Sequence, residues 1–507
     1  MFVPIGISTG NGCWNKLNFN QTFLMNQIEK PSGRFPKTFW SANSMELFER
    51  WAYYGVFSVF AIYLTDPVSE HGMGFSHIQK GMIMGVGTFL LYLLPIISGA
   101  FADRFGYKKM LLISYFVLTA GYFLLSIASS YSTMFATFIV VAIGAAIFKP
   151  IIVSTVAKVT NEENSTKGFG IFYMIVNIGA FIGPYVSSRL RTNNWDYVFY
   201  VSSAIIAFNF LLLFLFYKEP VNATKNPEKI SKTLAKIGLN MLKVIIDIRF
   251  MIFLLLMSGF WAMYMQLFFS LPVYIKEWVD TTPIYNSSQF VASYFGKIEN
   301  NVGIIPPELM ENLVAFFVIL FQFLISSLIA KTKPINTIIF GTGLTAFGVF
   351  CMGMSHSVWF MIVAILIFAF GEMSASPRSQ EYVSKIAPPD KTALYLGYSF
   401  LSIALGNFFA GLLSGTLYGT YADKSMLIRF DLVQKGLISS KDAALLKGNE
   451  LVNTATTKLG ISAEQLTLSL KETYHPEFIW SVFALIGLGT MTLLWLYNLI
   501  ILKRKII

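Results

Sequence analysis

Met45-Glu46-Leu47-Phe48-Glu49-Arg50-Trp51-Ala52-Tyr53-Tyr54-Gly55 carries two carboxylates and a guanidinium inside an otherwise apolar run from Phe39 to about Leu64. A run of that length crosses a bilayer, which needs roughly 20 apolar residues. Each Asp, Glu, Lys or Arg at the centre of a spanning helix costs about 2.5–3.5 kcal/mol on insertion scales, so three together do not face lipid. At helical spacing Glu46 and Arg50 are i and i+4, with Glu49, Tyr53, Tyr54 and Phe57 on or beside the same stripe. Such a stripe points into a helix bundle or a watery cavity.

The composition agrees. Of 507 residues, 55% are hydrophobic and 13% charged, against roughly 25% charged in ordinary soluble domains. A soluble fold this apolar would expose more hydrophobic surface than monomers tolerate, so the chain reads as an all-α polytopic membrane protein. Its net charge of +11 lies in loops between apolar spans, as the positive-inside rule describes for cytoplasmic loops. The basicity therefore indicates the lipid bilayer and not nucleic acid. Cys13 and Cys351 are far apart without metal-ligand spacing, so neither a disulfide nor a metal is assigned. Residues 1–38 lack a signal peptide's apolar core and read as a cytoplasmic N-terminal segment.

Apolar spans are expected at about 40–64, 77–100, 109–131, 132–157, 168–190 and 196–217, then at 250–275, 309–330, 335–354, 357–377, 393–420 and 476–502. Twelve spans in two sets of six suggest two repeated halves, 39–217 and 250–502, around a central site. The basic segment 218–249 links them. With the turn Lys108-Lys109 and the tail 503–507 it sets both termini in the cytoplasm, because all three fall on one side. Loops 276–308 and 421–475 are then extracellular, the second reading as short soluble helices with cap-like Ser residues and no catalytic constellation.

Between spans two and three, Gly99-Ala100-Phe101-Ala102-Asp103-Arg104-Phe105-Gly106-Tyr107-Lys108 resembles the G-x-x-x-D-R-x-G-x-K signature of the major facilitator superfamily. A tight turn needs its glycine, and Asp103 and Arg104 suit pairs that break when the halves rock. Glu46-x-x-Glu49-Arg50 with Tyr53-Tyr54-Gly55 is similar to the E-x-x-E-R-x-x-Y-Y-G motif of the proton-dependent oligopeptide transporter family within it. Phe148-Lys149-Pro150, Phe172-Tyr173-x-x-x-Asn177-x-Gly179, and Gly371-Glu372 with Ser376-Pro377 resemble further motifs of that family, in order, from about residue 40 to 414. Trp261 and Gln266 match its helix-seven pattern.

From the residues alone, Lys149 is a lone cation and Glu372 a lone anion, one in each half; such charges find partners or mark pathways. Either they face one cavity, suited to a zwitterion, or they pair with each other as a gate. The resemblance implies a twelve-helix major facilitator fold importing di- or tripeptides with protons by alternating access, with no cofactor besides the proton. It implies Arg50 and Lys149 at the peptide carboxylate, Asn177, Asn312 and Glu372 at its amine, and Tyr53, Tyr54, Tyr173, Trp261, Gln266 and Ser376 around it. Glu46, Glu49, Arg50 and Glu372 are expected to couple protons, and Gly99, Asp103, Arg104, Gly106, Lys149 and Glu372 to gate.

The sequence also departs from the family. Met265 stands where a glutamate usually precedes the helix-seven glutamine, and Asn312-Leu313 replaces Asn-Pro. Span two is read without His, Arg or Lys, so the extracellular charge pairing of relatives is not expected. Proton coupling then rests on Glu46, Glu49 and Glu372. The rival readings are another small organic anion or a drug-like solute, a facilitator or exchanger without proton coupling, and a receptor or scaffold using the 421–475 loop. No nucleophile–base pair, zinc spacing or phosphate loop points to an enzyme; Gly85-Val86-Gly87 is too short for nucleotide binding. A monomer in the plasma (inner) membrane is assumed.

Overall fold

Lys37–Thr65 is one unbroken 29-residue helix despite its three central charges. The computed structural model describes residues 35–161, 164–220, 247–299, 301–355, 357–388 and 391–503, with scattered positions between 232 and 246. Cys13, most of the 1–38 segment, most of the 218–249 linker and residues 504–507 lie outside the described residues.

The first half comprises α1 (Lys37–Thr65), α2 (His77–Leu93), α3 (Pro95–Phe105), α4 (Tyr107–Ile127), α5 (Tyr131–Lys158), α6 (Ser165–Leu190) and α7 (Asp196–Leu215). The second opens with α8 (Ile248–Tyr264), α9 (Gln266–Phe269) and α10 (Leu271–Trp278), followed by α11 (Thr282–Tyr285), α12 (Gln289–Phe295) and a small antiparallel hairpin of β1 (Lys297–Glu299) and β2 (Val302–Ile304). Next come α13 (Pro307–Glu311), α14 (Leu313–Ile329), α15 (Pro334–Met352), α16 (Val358–Ile386) and α17 (Thr392–Leu413). A π-helical turn at Ser414–Tyr418 leads into α18 (Gly419–Tyr421), α19 (Lys424–Gln434), α20 (Ser440–Leu445), α21 (Gly448–Leu459), α22 (Ala463–Tyr474) and α23 (Phe478–Lys503).

Among the described residues, ten helical stretches are long and apolar enough to cross a membrane, and α2 with α3, bent by 43° at their junction, makes an eleventh if the pair is one span. The remaining long helix is α1, whose charges lower its hydropathy without shortening it. The expected seventh span is broken at Met265 into α8 and α9 and ends at Phe269, with α10 following it outside the apolar stretch. The 421–475 segment folds into four short helices, two of them capped by Ser439 and Ser462 side chains.

Glycines set the tightest packing. A Cβ on Gly183 of α6 would lie 2.6 Å from the Gly55 nitrogen and the Trp51 carbonyl of α1, so the two backbones touch just past the three charges. Across the halves, a Cβ on Gly81 of α2 would collide with the Gly411 carbonyl of α17, and one on Gly85 would meet the Gly411 Cα at 3.0 Å. Gly106 sits at φ +90°, which a side chain rarely adopts, and turns α3 into α4. The first two N–H groups of α4 are satisfied by Glu219, whose carboxylate accepts from Tyr107 N at 2.7 Å and Lys108 N at 2.8 Å.

Candidate transport cavity

A cavity lies between the halves. Glu46, Arg50, Tyr53, Tyr54, Lys149, Tyr173 and Asn177 line it from the first half, and Trp261, Asn312 and Glu372 from the second. The charged stripe of α1 is thus turned inward. Arg50 donates through Nε to Glu49 Oε2 at 2.5 Å, pairs with the same oxygen through Nη2, and stands 3.3 Å from Glu46. Its guanidinium also lies 5.0 Å from the Tyr53 ring and 5.8 Å from that of Tyr54. Glu49 is fully buried behind Arg50, off the wall, and holds the guanidinium; Glu46 is on the wall and holds it more loosely.

Lys149 forms no ion pair with Glu372 or any other carboxylate among the described residues; its Nζ lies 4.6 Å over the Tyr92 ring. Such a contact contributes about 2 kcal/mol when desolvated, less than the several kcal/mol that removing an ammonium from water costs. The charge is therefore available to a solute anion. Pro150 removes a backbone donor from α5, yet the helix does not break. The orphaned Ala146 carbonyl instead accepts from Ser98 Oγ of α3 at 2.7 Å, one turn before Pro150.

Asn177 Nδ2 donates to the Tyr173 carbonyl at 2.8 Å, and Asn312 Nδ2 to the Phe181 carbonyl at 2.9 Å. Asn312 sits at the break between α13 and α14 and ties it to α6. Two expected cavity residues lie elsewhere. Gln266 is fully buried off the wall, with Nε2 donating to the Ala262 and Ala410 carbonyls and Oε1 accepting from Ser270, because the α8–α9 break turns it toward α17. Ser376 is buried within α16, also off the wall. Gly99, Asp103, Arg104 and Gly106 occupy the far turn, where Asp103 accepts from Tyr107 Oη at 3.0 Å and pairs with Lys158 at 3.6 Å.

The wall also holds Met265, the departure noted in the sequence, and residues the sequence did not point to: Tyr92, Tyr264, Phe268 and Glu311. Glu311 carries the same signal as Glu372, a lone carboxylate at an apolar span, but it fell at the edge of the 276–308 loop. Span two is also corrected: it opens on His77 and Lys80, both buried. Lys80 Nζ donates to the Phe269 carbonyl at 2.8 Å and lies 5.2 Å over the Tyr418 ring. His77, Glu277 and Asp423 bring ligand-type atoms within 4.8 Å of one another beside it. Tyr418 Oη donates to Glu277 at 2.7 Å. Burial, and then Asp423, push Glu277 up to about 8.

Among the described residues, the ion pairs that cross between the halves lie at this end. Arg191 donates through Nε and Nη2 to Glu308 at 2.7 and 3.0 Å. Lys276 bridges Asp66 at 2.6 Å and Glu70 at 3.0 Å, and His77 lies 3.7 Å from Asp423. At the Gly106 end, Lys158–Asp103, Arg378–Glu381 and Lys385–Glu381 each join residues of one half. Among the described residues, ion pairs thus join the halves at one end of the cavity and not at the other.

Two halves, a central charged cavity and an end-to-end asymmetry match what sequence comparison finds, since the profile of the Major Facilitator Superfamily covers residues 45–296 and 281–423. The chain belongs to the major facilitator superfamily. Among curated relatives, the multidrug resistance protein MdtH of Proteus mirabilis (strain HI4320) is 24% identical over 69% of this chain and 80% of its own length. The Na(+), Li(+), K(+)/H(+) antiporter of Planococcus maritimus is 25% identical over 72% and 86%. Among solved structures, a peptide transporter POT in complex with sulfate superposes with a TM-score of 0.66 at 18% identity, covering 90% of this chain and 98% of that one. A POT family transporter in complex with 5-aminolevulinic acid gives 0.64 at 19%, covering 87% and 97%. At these identities the superpositions establish the fold, and the superfamily establishes a multi-pass membrane transporter.

Proposed function

We propose that the chain is a proton-coupled symporter that imports di- and tripeptides by alternating access. The observation that carries this reading is the placement of charge across the cavity: a Lys149 without an ion pair among the described residues, beside the Glu46–Glu49–Arg50 cluster, on one half, and Glu372 with Asn312 on the other. A zwitterion bridging them gains charge-assisted hydrogen bonds at both ends, each about twice as strong as a neutral one. The motif resemblance and the peptide-transporter neighbours support the same cargo. Protons are the coupling ion and no other cofactor is needed. Across 100 mV each charge carries about 2.3 kcal/mol, enough to drive accumulation.

In this reading the transporter works as a monomer in the plasma (inner) membrane with both termini cytoplasmic, so the sealed end is extracellular and the cavity faces inward. Substrate drawn to Arg50 competes with Glu46, which is then freed to exchange a proton. Proteoliposomes with an imposed pH gradient test this: labelled dialanine should accumulate, and Lys149→Gln should cut uptake by about tenfold or more, the loss of a charged hydrogen bond. Full gradient dependence in both Glu46→Gln and Glu49→Gln would remove the proton step from this triplet.

A second reading keeps the fold and takes a drug-like solute or another organic ion, with or without proton coupling. It is favoured by Met265, by the aromatic wall of Tyr92, Tyr264 and Phe268, and by relatives named for multidrug resistance. Counterflow of labelled dialanine against a panel of organic ions separates the two.

A further inference from the structure

Glu311 lies on the cavity wall, 4% exposed, and its Oε2 has no hydrogen-bond partner among the described residues. The elements packed against α13 bring Arg191 from the end of α6, Lys276 and Glu277 from α10, and Glu46, Glu49 and Arg50 from α1. Each of those cations is already engaged: Arg191 by Glu308, Lys276 by Asp66 and Glu70, Arg50 by Glu49. The wider charge count agrees. Four carboxylates, Glu46, Glu49, Glu311 and Glu372, stand on or directly behind the wall against two cations, Arg50 and Lys149. Uncompensated charges are not tolerated in such surroundings, so the missing positive charge must arrive as protons or with the cargo.

The position also has leverage. α13 is a single five-residue helix, and Glu308 and Glu311 stand three residues apart on it, about one turn. One acid is locked to Arg191 across the sealed interface; the other meets the cavity. We propose that Glu311 binds the cationic group of the cargo, as an anionic site additional to Glu372 where helix seven offers only Met265, and that its occupancy is passed along α13 to the Arg191–Glu308 latch. This rests on reading the cavity as the transport site for an amine-bearing solute.

The full chain in detergent, wild type and Glu311→Gln, is titrated with alanyl-alanine, alanyl-alaninamide and N-acetyl-alanyl-alanine. Wild type should bind the two ammonium-bearing probes in preference to the acetylated one. Glu311→Gln should weaken those two by about tenfold, one charged hydrogen bond, and leave the acetylated probe unchanged. Spin labels at Val68→Cys and Gln289→Cys, on opposite sides of the sealed end, should report a distance change on adding alanyl-alaninamide in wild type and none in Glu311→Gln. Equal weakening of all three probes, unchanged binding, or an identical distance response in the variant would overturn the assignment. If wild type binds none of the three, the peptide reading fails, and Glu311 is judged on tetraphenylphosphonium. Tenfold weaker binding of that cation in the variant supports the site; equal binding, or no binding to wild type, overturns it.

Discussion

The two ends of the bundle carry charged pairs of opposite kinds. At the Lys276 end Arg191, Glu308, Lys276 and Asp66 are buried or nearly so and join one half to the other. At the Gly106 end Asp103 and Lys158 are two-thirds and one-third exposed and belong to the same half. Buried pairs lose much when one partner is removed, because the other is left unsatisfied; exposed pairs lose little. Burial alone does not separate the ends, since Arg378–Glu381 at the Gly106 end is as buried as Lys276–Asp66; the pairs at one end cross between the halves and those at the other stay within one half.

The strongest way to break this contrast is Arg191→Gln, which strands the fully buried Glu308. The sealed state should lose about 3–5 kcal/mol, read as increased alkylation of a Thr281→Cys probe and a lowered thermal midpoint in detergent. Lys276→Met should cost less, about 1.5–3 kcal/mol, since its side chain is a quarter exposed; the same alkylation assay ranks the two. Glu277 sharpens the comparison through pH. Its carboxyl is raised from 4.5 to about 8 by burial and by Asp423, so the sealed arrangement favours the protonated form. That support is complete below about 4.5 and is lost as pH rises through about 8. Alkylation at the sealed end, taken relative to a fully exposed thiol at each pH because the thiolate is the reacting form, should rise over this window and be flat in Glu277→Gln. Smallest is Asp103→Asn at the other end, where the exposed pair with Lys158 contributes less than about 1 kcal/mol. A drop in thermal midpoint as large as that of Arg191→Gln would erase the distinction.

What the sequence disclosed and what it hid divide on physical lines. A charge inside an apolar run is costly wherever the run packs, so Glu46, Glu49, Arg50, Lys149 and Glu372 were legible as inward-facing before any fold was known. The twelve apolar runs were legible for the same reason. Gln266 shows the limit: its partner is the Ala410 carbonyl, 144 residues away, and only the break between α8 and α9 decides that it turns there and not to the cavity. Lys80 and His77 hid at a helix start, where polar residues are ordinary. Ser98 gave no signal at all, although it satisfies the carbonyl that Pro150 leaves bare. Patterning determines what is buried; it does not say whose backbone receives the hydrogen bonds.

The glycine seam between α2 and α17 has a mechanical consequence. Gly81, Gly85 and Gly411 let two backbones touch with no side chains to interdigitate, and they lie close to the sealed end, a few residues from His77. A fulcrum set near one end makes an unequal lever. At about 1.5 Å per residue, Phe105 lies roughly 30 Å along the bent helix pair from Gly85, so about 10° of tilt swings that far end by roughly 5 Å. At His77, roughly 12 Å along α2 from Gly85, the same tilt moves atoms by only about 2 Å, enough to part it from Asp423. A short-range latch can thus hold a long-armed gate.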